Sequence, residues 1–207
     1  MSTSLQAAQQ DQPSGTCTPV SSRPYGIGLT SLGALGLVSA FMLTVDKFHL
    51  LEDPSFVPSC NLSPILSCGS VMVTDQASVF GFPNPLLGLV GFTVVVVLGV
   101  LLTLRTPLPN VVHIGLAVGS VAGLAFVHWL AFQSLYRIGA LCPWCMVVWA
   151  VTIPLAVWSV LTAARAITHK RPVEMAWSVR YLIVLFWYLA FVVLILIRFW
   201  DYWRTLH

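Results

Sequence analysis

Hydrophobic and polar positions do not alternate along this chain; they come in blocks. Continuous apolar runs cover about 26–45, 85–104, 111–133, 140–162 and 181–199. Each is close to the ~20 residues that a helix needs to cross the hydrocarbon of a bilayer. Polar stretches separate them. Residues 46–83 carry Asp46, Lys47, Glu52, Asp53 and Asp75; 106–110 form a Pro-rich turn; 134–139 are a short link. A basic connector holds Arg165, His169, Lys170, Arg171 and Arg180. Barrel strands would show alternation over about ten residues, and none of these runs does. Lipid-facing backbone outside a barrel must bond to itself as helix. The pattern predicts an all-α integral membrane protein of five spans.

Composition agrees. Of 207 residues, 57% are hydrophobic and 8% charged, against the roughly 25% charged residues of a soluble domain. So little charge cannot cover a water-facing surface, and the mean hydropathy is +0.87. A net charge of +3 offers no basic surface for nucleic acid. Residues 1–25 are rich in Ser, Gln, Thr and Pro and read as a disordered cytoplasmic tail rather than a signal peptide. Residues 26–165 then form a four-helix core with a long outer loop at 46–83. Residues 166–207 supply a cytoplasmic connector, the fifth span and a short outer tail. Arg23, Arg105 and the cluster at 165–180 share one side of a five-span chain. That side is the cytoplasmic one by the positive-inside rule. The fifth span reads as the least necessary to the working core. Gly115, Gly119 and Gly123, four apart, predict a flat stripe for close helix packing, as do Gly36 and Ala40, with Gly88 and Gly91 lightening the second span.

The cysteines change the picture from architecture to chemistry. There are five: Cys17, Cys60, Cys68, Cys142 and Cys145. Cys17 falls in the tail and reads as an incidental thiol. The other four map to the outer face, where thiols are oxidised. Cys60 and Cys68 lie in the long loop, in a polar stretch read as mobile. Cys142-Pro143-Trp144-Cys145 opens the fourth span, where free N–H groups and the helix dipole favour a thiolate. Pro143 suits the first turn, which needs no N–H there. Loop disulfides pass electrons by exchange, so the arrangement suggests a relay from a soluble partner, through the loop pair, to Cys-x-x-Cys and into the bilayer. Two structural disulfides are the alternative. A zinc site built from the four outer cysteines fits poorly, because the seven-residue gap between Cys60 and Cys68 exceeds the usual spacing; no metal is expected.

Together these residues resemble the vitamin K epoxide reductase family. The likeness rests on Cys60-x7-Cys68 after the first span, Ser67-Cys68-Gly69-Ser70-Val71, Phe80-Gly81-Phe82-Pro83-Asn84 with Gly88, and Cys142-x-x-Cys145 opening the fourth span. It covers about residues 25–165. DsbB-type quinone oxidoreductases place their cysteine pairs in the opposite order. The unfused chain with a fifth span resembles bacterial, especially actinobacterial, members.

The resemblance implies a four-helix bundle around a quinone pocket. It implies that Cys145 faces and reduces the quinone, that Cys142 exchanges with the loop, that Cys68 forms the transient mixed disulfide with Cys142, and that Cys60 meets a thioredoxin-fold, DsbA-like partner. Asn84 matches an asparagine that hydrogen-bonds one quinone carbonyl. Trp149 stands where mammalian members have a tyrosine for the other carbonyl, and Leu87 where they have a phenylalanine. These departures fit reduction of an ordinary membrane quinone, menaquinone or similar, at the outer face of a cell membrane. The implied outcome is disulfide formation in exported proteins.

Other residues read as follows. Phe82, Phe126, Trp144 and Trp149 are candidates for lining the quinone pocket, with core packing or interface anchoring as the alternative. Asp46, Lys47 and His49 read as an interfacial charged edge rather than a proton-transfer group. Asp75 and Ser78 read as solvated loop, and His128, inside the third span, as a neutral packed histidine. The competing function is a non-catalytic scaffold whose disulfides only brace the outer loop.

Overall fold

The computed structural model describes residues 23–168 and 170–204. Cys17, His169 and the tail up to residue 22 lie outside them. Five helices are long and apolar enough to cross a membrane. They are α1 (Arg23–Glu52), α3 (Pro85–Thr103), α4 (Asn110–Phe132, continued by a π-helical turn over Gln133–Ile138), α5 (Pro143–Ile167) and α7 (Arg180–Arg198). Short helices α2 (Cys68–Met72), α6 (Arg171–Ser178) and α8 (Trp200–Arg204) complete the set. No strand forms among the described residues. The protein is an all-α, multi-pass membrane protein. Helix α1 begins inside the segment read as tail and continues past residue 45 to Glu52. Asp46, Lys47 and His49 are therefore the last turns of a helix, not the start of a loop.

Glycines bring α1 and α3 together. A Cβ at Gly36 would stand 2.4 Å from the Phe92 ring, one at Gly26 2.5 Å from the Thr103 nitrogen, and one at Gly99 2.6 Å from the Thr30 nitrogen. These pairs run in opposite senses, so the two helices are antiparallel. Helix α5 packs on α1, with Trp158 against Gly28. Leu29, Ala40, Phe92, Leu102, Leu116, Val151 and Leu155 form the shared core.

Helix α4 behaves otherwise. It packs on α5 and barely meets α3. Gly115, Gly119 and Gly123 have no atom within 4 Å of where a Cβ would be. The expectation that this stripe packs a helix is corrected: it faces open space, because α4 leans on α5 and leaves a gap toward α3. Gly36 and Ala40 do make the close approaches expected of them, with Ala40 against Gly88.

At the loop end, α4 stops on Gly139, whose φ of 73° is the left-handed conformation that glycine adopts without strain. At the opposite, basic end, the Trp177 ring lies 4.6 Å from the Arg165 guanidinium and 4.5 Å from that of Arg180, and Arg165 pairs with Glu174 at 3.0 Å.

Helix α7 docks on α4 and α5 through Phe191 and Ile195 and through polar contacts. Pro154, inside α5, has no N–H to give the carbonyl four residues earlier. The Tyr188 hydroxyl donates to that carbonyl, Ala150 O. Trp187 Nε1 donates to His128 Nε2 at 3.0 Å. His128 Nδ1 lies 2.8 Å from Leu124 O, so the ring's proton sits on Nδ1, as a neutral packed histidine requires. Arg198 Nε donates to Leu135 O at 2.8 Å.

Candidate active site

The loop between α1 and α3 is built to deliver Cys68 to the start of α5. Ser67 N donates to Leu141 O at 2.9 Å, and Leu141 N donates to Ile65 O at 2.7 Å, a parallel bridge between Leu66 and Leu141. Asn61 Oδ1 accepts from Gly69 N at 2.9 Å and from Ser67 Oγ at 3.2 Å. Ser67 Oγ in turn accepts from Ser70 N at 3.1 Å and caps α2. Such polar residues serve the backbone best in turns and caps.

This clasp puts two cysteine pairs in contact. Cys60 and Cys68 form a disulfide, whereas Cys142 and Cys145 are free thiols. Cys142 Sγ stands 3.2 Å from Cys68 Sγ. Cys142 is the N-cap of α5, and its sulfur accepts from Cys145 N at 3.4 Å. Cys60 is 7% exposed, Cys68 0% and Cys142 0%. Leu43 and Met72 pack among them, with Trp144 and Val71 at the edge. The reading of Cys60 as part of a mobile polar stretch is corrected: the clasp holds that stretch against α1 and α5.

Cys142 stands just outside the span. The hydrogen bond with the Cys145 thiol holds it below the ordinary thiol range, against the opposing effect of burial. The N–H groups of Cys145 and Trp144 add to the lowering, and the charge of Asp46 opposes it. The sulfur that touches Cys68 is thus biased toward thiolate, the form that attacks a disulfide.

Cys145, whose thiol bonds to Cys142, also lines a cavity of about 530 Å³ between α1, α3, α4 and α5. Its walls are mainly apolar: Leu87, Phe92, Leu116, Phe126, Val148 and Trp149 among others. The stripe Gly115, Gly119 and Gly123 lines it, as do Gly88 and Gly91. Asn84 is buried at its edge, with Nδ2 donating to Gln76 O at 2.7 Å and Oδ1 accepting from Val79 N at 3.2 Å. An amide group carries two N–H donors, so one remains for a ligand. Lys47 also lines the cavity, its Nζ donating to Met72 O at 2.7 Å. An apolar hollow with a few polar groups at its wall is the usual form of a small-molecule site.

A comparison with protein families matches residues 27–160 to the vitamin K epoxide reductase family. The chain belongs to that family. A search of curated proteins found no match. Membership makes this a membrane redox enzyme, an oxidoreductase of a family that uses quinones.

Of the residues singled out from the sequence, the structure brings Cys60, Cys68, Cys142 and Cys145 into one cluster and sets Asn84, Trp149 and Phe126 on the cavity wall. It does not bring Phe82 or Trp144 there. Phe82 is 39% exposed and stacks on Phe80, which meets Phe126. Trp144 instead packs beside the cysteines, because adjacent residues of a helix point about 100° apart and Trp144 cannot share the face of Cys145. Asp75 and Ser78 form a short 3-10 turn.

Sequence reasoning missed Lys47 and the glycine stripe as cavity residues of this family member. A Lys at a span end reads as interface, and small residues four apart read as packing. It also undervalued α7, whose Phe191 meets Trp149 at 6.0 Å and His128 at 5.2 Å, behind the cavity wall.

Proposed function

We propose that this protein is a quinone-dependent thiol–disulfide oxidoreductase of bacterial type. In this reading it reoxidises a thioredoxin-fold, DsbA-like partner outside the cytoplasm and so supports disulfide formation in exported proteins. The observation that carries the reading is the pair of contacts made by Cys-x-x-Cys: Cys142 touches Cys68 at 3.2 Å, while Cys145 opens onto the apolar cavity.

Each residue then has a task. The partner exchanges with the loop pair, Cys60 first. Cys68 passes the electrons to Cys142 through a mixed disulfide, which frees Cys145 at the cavity wall. The spare N–H of Asn84 and the indole of Trp149 hold and orient a quinone, and the glycines of α4 leave room for its body. A quinone bound there, menaquinone or similar, supplies a two-electron acceptor. A DsbA-like donor near −120 mV needs an acceptor of still higher potential, which a respiratory quinone meets. The excess of basic residues at the end opposite the cysteines supports a cytoplasmic N-terminus and a catalytic end outside a cell membrane.

The scaffold reading calls for a second bond to brace the loop. The free thiols of Cys142 and Cys145 and the sulfur–sulfur contact speak for the relay instead. The test is anaerobic quinone reduction by the purified protein with a reduced DsbA-like donor. Turnover is expected in the wild type and lost, at least about a hundredfold, in Cys60→Ala and Cys145→Ala. Turnover in either variant, or none in the wild type with any quinone, would sink the reading.

A further inference from the structure

The last turns of α1 read as an interfacial edge, yet one carboxylate there points at the disulfide. Asp46 Oδ2 lies 3.7 Å from Cys60 Sγ, the distance of a thiol hydrogen bond once that sulfur carries a proton. Asp46 sits one turn beyond Leu43, which packs among Cys60, Cys68 and Cys142, so the helix presents both to the same cluster. No salt bridge reaches Asp46 among the described residues. Its neighbour Lys47 is committed to Met72 O at 2.7 Å. On its own helix, His49 is the group whose charge acts on it. Across the site the group it acts on is Cys142, whose thiolate its charge opposes.

We propose that Asp46 is the general base for Cys60, accepting the thiol proton as Cys60 attacks Cys68 and resolves the Cys68–Cys142 mixed disulfide. The inference rests on the relay described under the proposed function. In this step the Cys60 Sγ–Cys68 Sγ bond forms and the Cys68 Sγ–Cys142 Sγ bond breaks. The proton of Cys60 goes to Asp46 Oδ2, and the electron pair of the broken bond leaves on Cys142 as thiolate. No net oxidation occurs: one disulfide replaces another, and the product is the arrangement seen in the structure, with Cys60–Cys68 bonded and Cys142 free.

Charge accounting favours this assignment. Before the step the negative charge of the cluster is on Asp46; after it, the charge is on Cys142, at the N–H groups that open α5. Neutralising Asp46 removes the one carboxylate that opposes the leaving thiolate at the moment that thiolate forms. Asp46 is half-buried, so the proton can afterwards pass to water.

The test needs neither quinone nor partner. The full chain in detergent is reduced anaerobically and pulsed with one equivalent of diamide. It is then quenched in acid and alkylated, and the Cys68–Cys142 species is followed by gel mobility. All arms carry Cys145→Ser, so that Cys145 cannot reopen the bond at Cys142, and Cys60→Ala, which then cannot resolve that bond, marks its position. In Asp46→Asn the mixed disulfide is expected to persist on the order of a hundredfold longer than in wild type at about pH 6.5, the lower end of what a positioned base contributes. The gap should close by about pH 9.5, where a thiol of ordinary pKa ~8.5 ionises unaided, and Asp46→Glu should recover part of the rate. Resolution at the wild-type rate in Asp46→Asn would overturn the proposal. So would an equal slowing at both pH values, which marks a merely structural role. A failed quinone assay beside a pH-rescued Asp46→Asn would refute the quinone reading and leave this one standing.

Discussion

At the scale of single residues, the four cysteines differ by what each sulfur touches. Cys142 is wholly buried against Cys68, and its thiol is held below the ordinary range chiefly by the Cys145 hydrogen bond. A lowered pKa means that the thiolate, and the attack it makes, persists to lower pH than for a free thiol of about 8.5. Titration of thiolate absorbance should therefore show one group per chain ionising at lower pH than the other thiols, lost in Cys142→Ser. A single transition at the ordinary value would contradict the assignment. The cysteines and their spacing were legible in the sequence, because Cys-Pro-Trp-Cys at a span start needs only the register of one helix. The contact between Asp46 and Cys60 was not, since a charged residue near a span end looks the same whether it meets water or a sulfur.

At the scale of elements, the clasp around Asn61 and the groove along α4 set the two halves of the site apart. Asn61→Ala removes the acceptor for Gly69 N and Ser67 Oγ; each such bond is worth about 0.5–1.5 kcal/mol. The loop should then open more often, and Cys60 and Cys68 should react with a soluble reductant faster than in wild type; unchanged reactivity would mean the clasp does not hold the loop. The α4 stripe calls for the opposite kind of test. Gly119→Leu meets no neighbour at its Cβ and gains roughly 0.8–1 kcal/mol of helix propensity, so folding should be kept. The side chain would fill the cavity, and KM for quinone should rise about tenfold, equivalent to ~1.4 kcal/mol, while exchange between the cysteine pairs is unaltered. Gly115, Gly119 and Gly123 show why this was hidden from the sequence. Small residues at that spacing allow a close approach, but whether a helix or a ligand makes it depends on where α4 leans.

At the scale of the whole molecule, the fifth span is joined to the catalytic bundle by a device that the sequence pattern undervalued. Five apolar runs were enough to predict five membrane helices, since length and hydropathy decide that much. They do not tell which helix supports which wall, because that depends on single polar contacts inside a lipid-facing surface. Helix α7 is mostly exposed along its length, with Leu182, Phe186 and Ile197 facing away from the bundle. It is attached by apolar packing of Phe191 and Ile195 and by a few polar contacts: Trp187 to His128, Tyr188 to Ala150 and Arg198 to Leu135. Hydrogen bonds between membrane helices are worth about 0.6 kcal/mol on average and up to about 1.7, so each contact alone is modest. Trp187→Phe keeps an aromatic ring and removes the donor to His128 Nε2. Thermal unfolding in detergent should fall by a few degrees at most, and the cysteine exchange should be untouched. The informative readout is the quinone. Phe191, one turn along α7 from Trp187, meets both His128 and Trp149, and Trp149 is a wall of the cavity. Loosening α7 should therefore weaken quinone reduction through KM, with kcat for thiol exchange held, and Trp187→Phe combined with Phe191→Ala should weaken it further. A double variant that keeps the wild-type KM would show that α7 is not part of the working core, as the sequence pattern alone suggested.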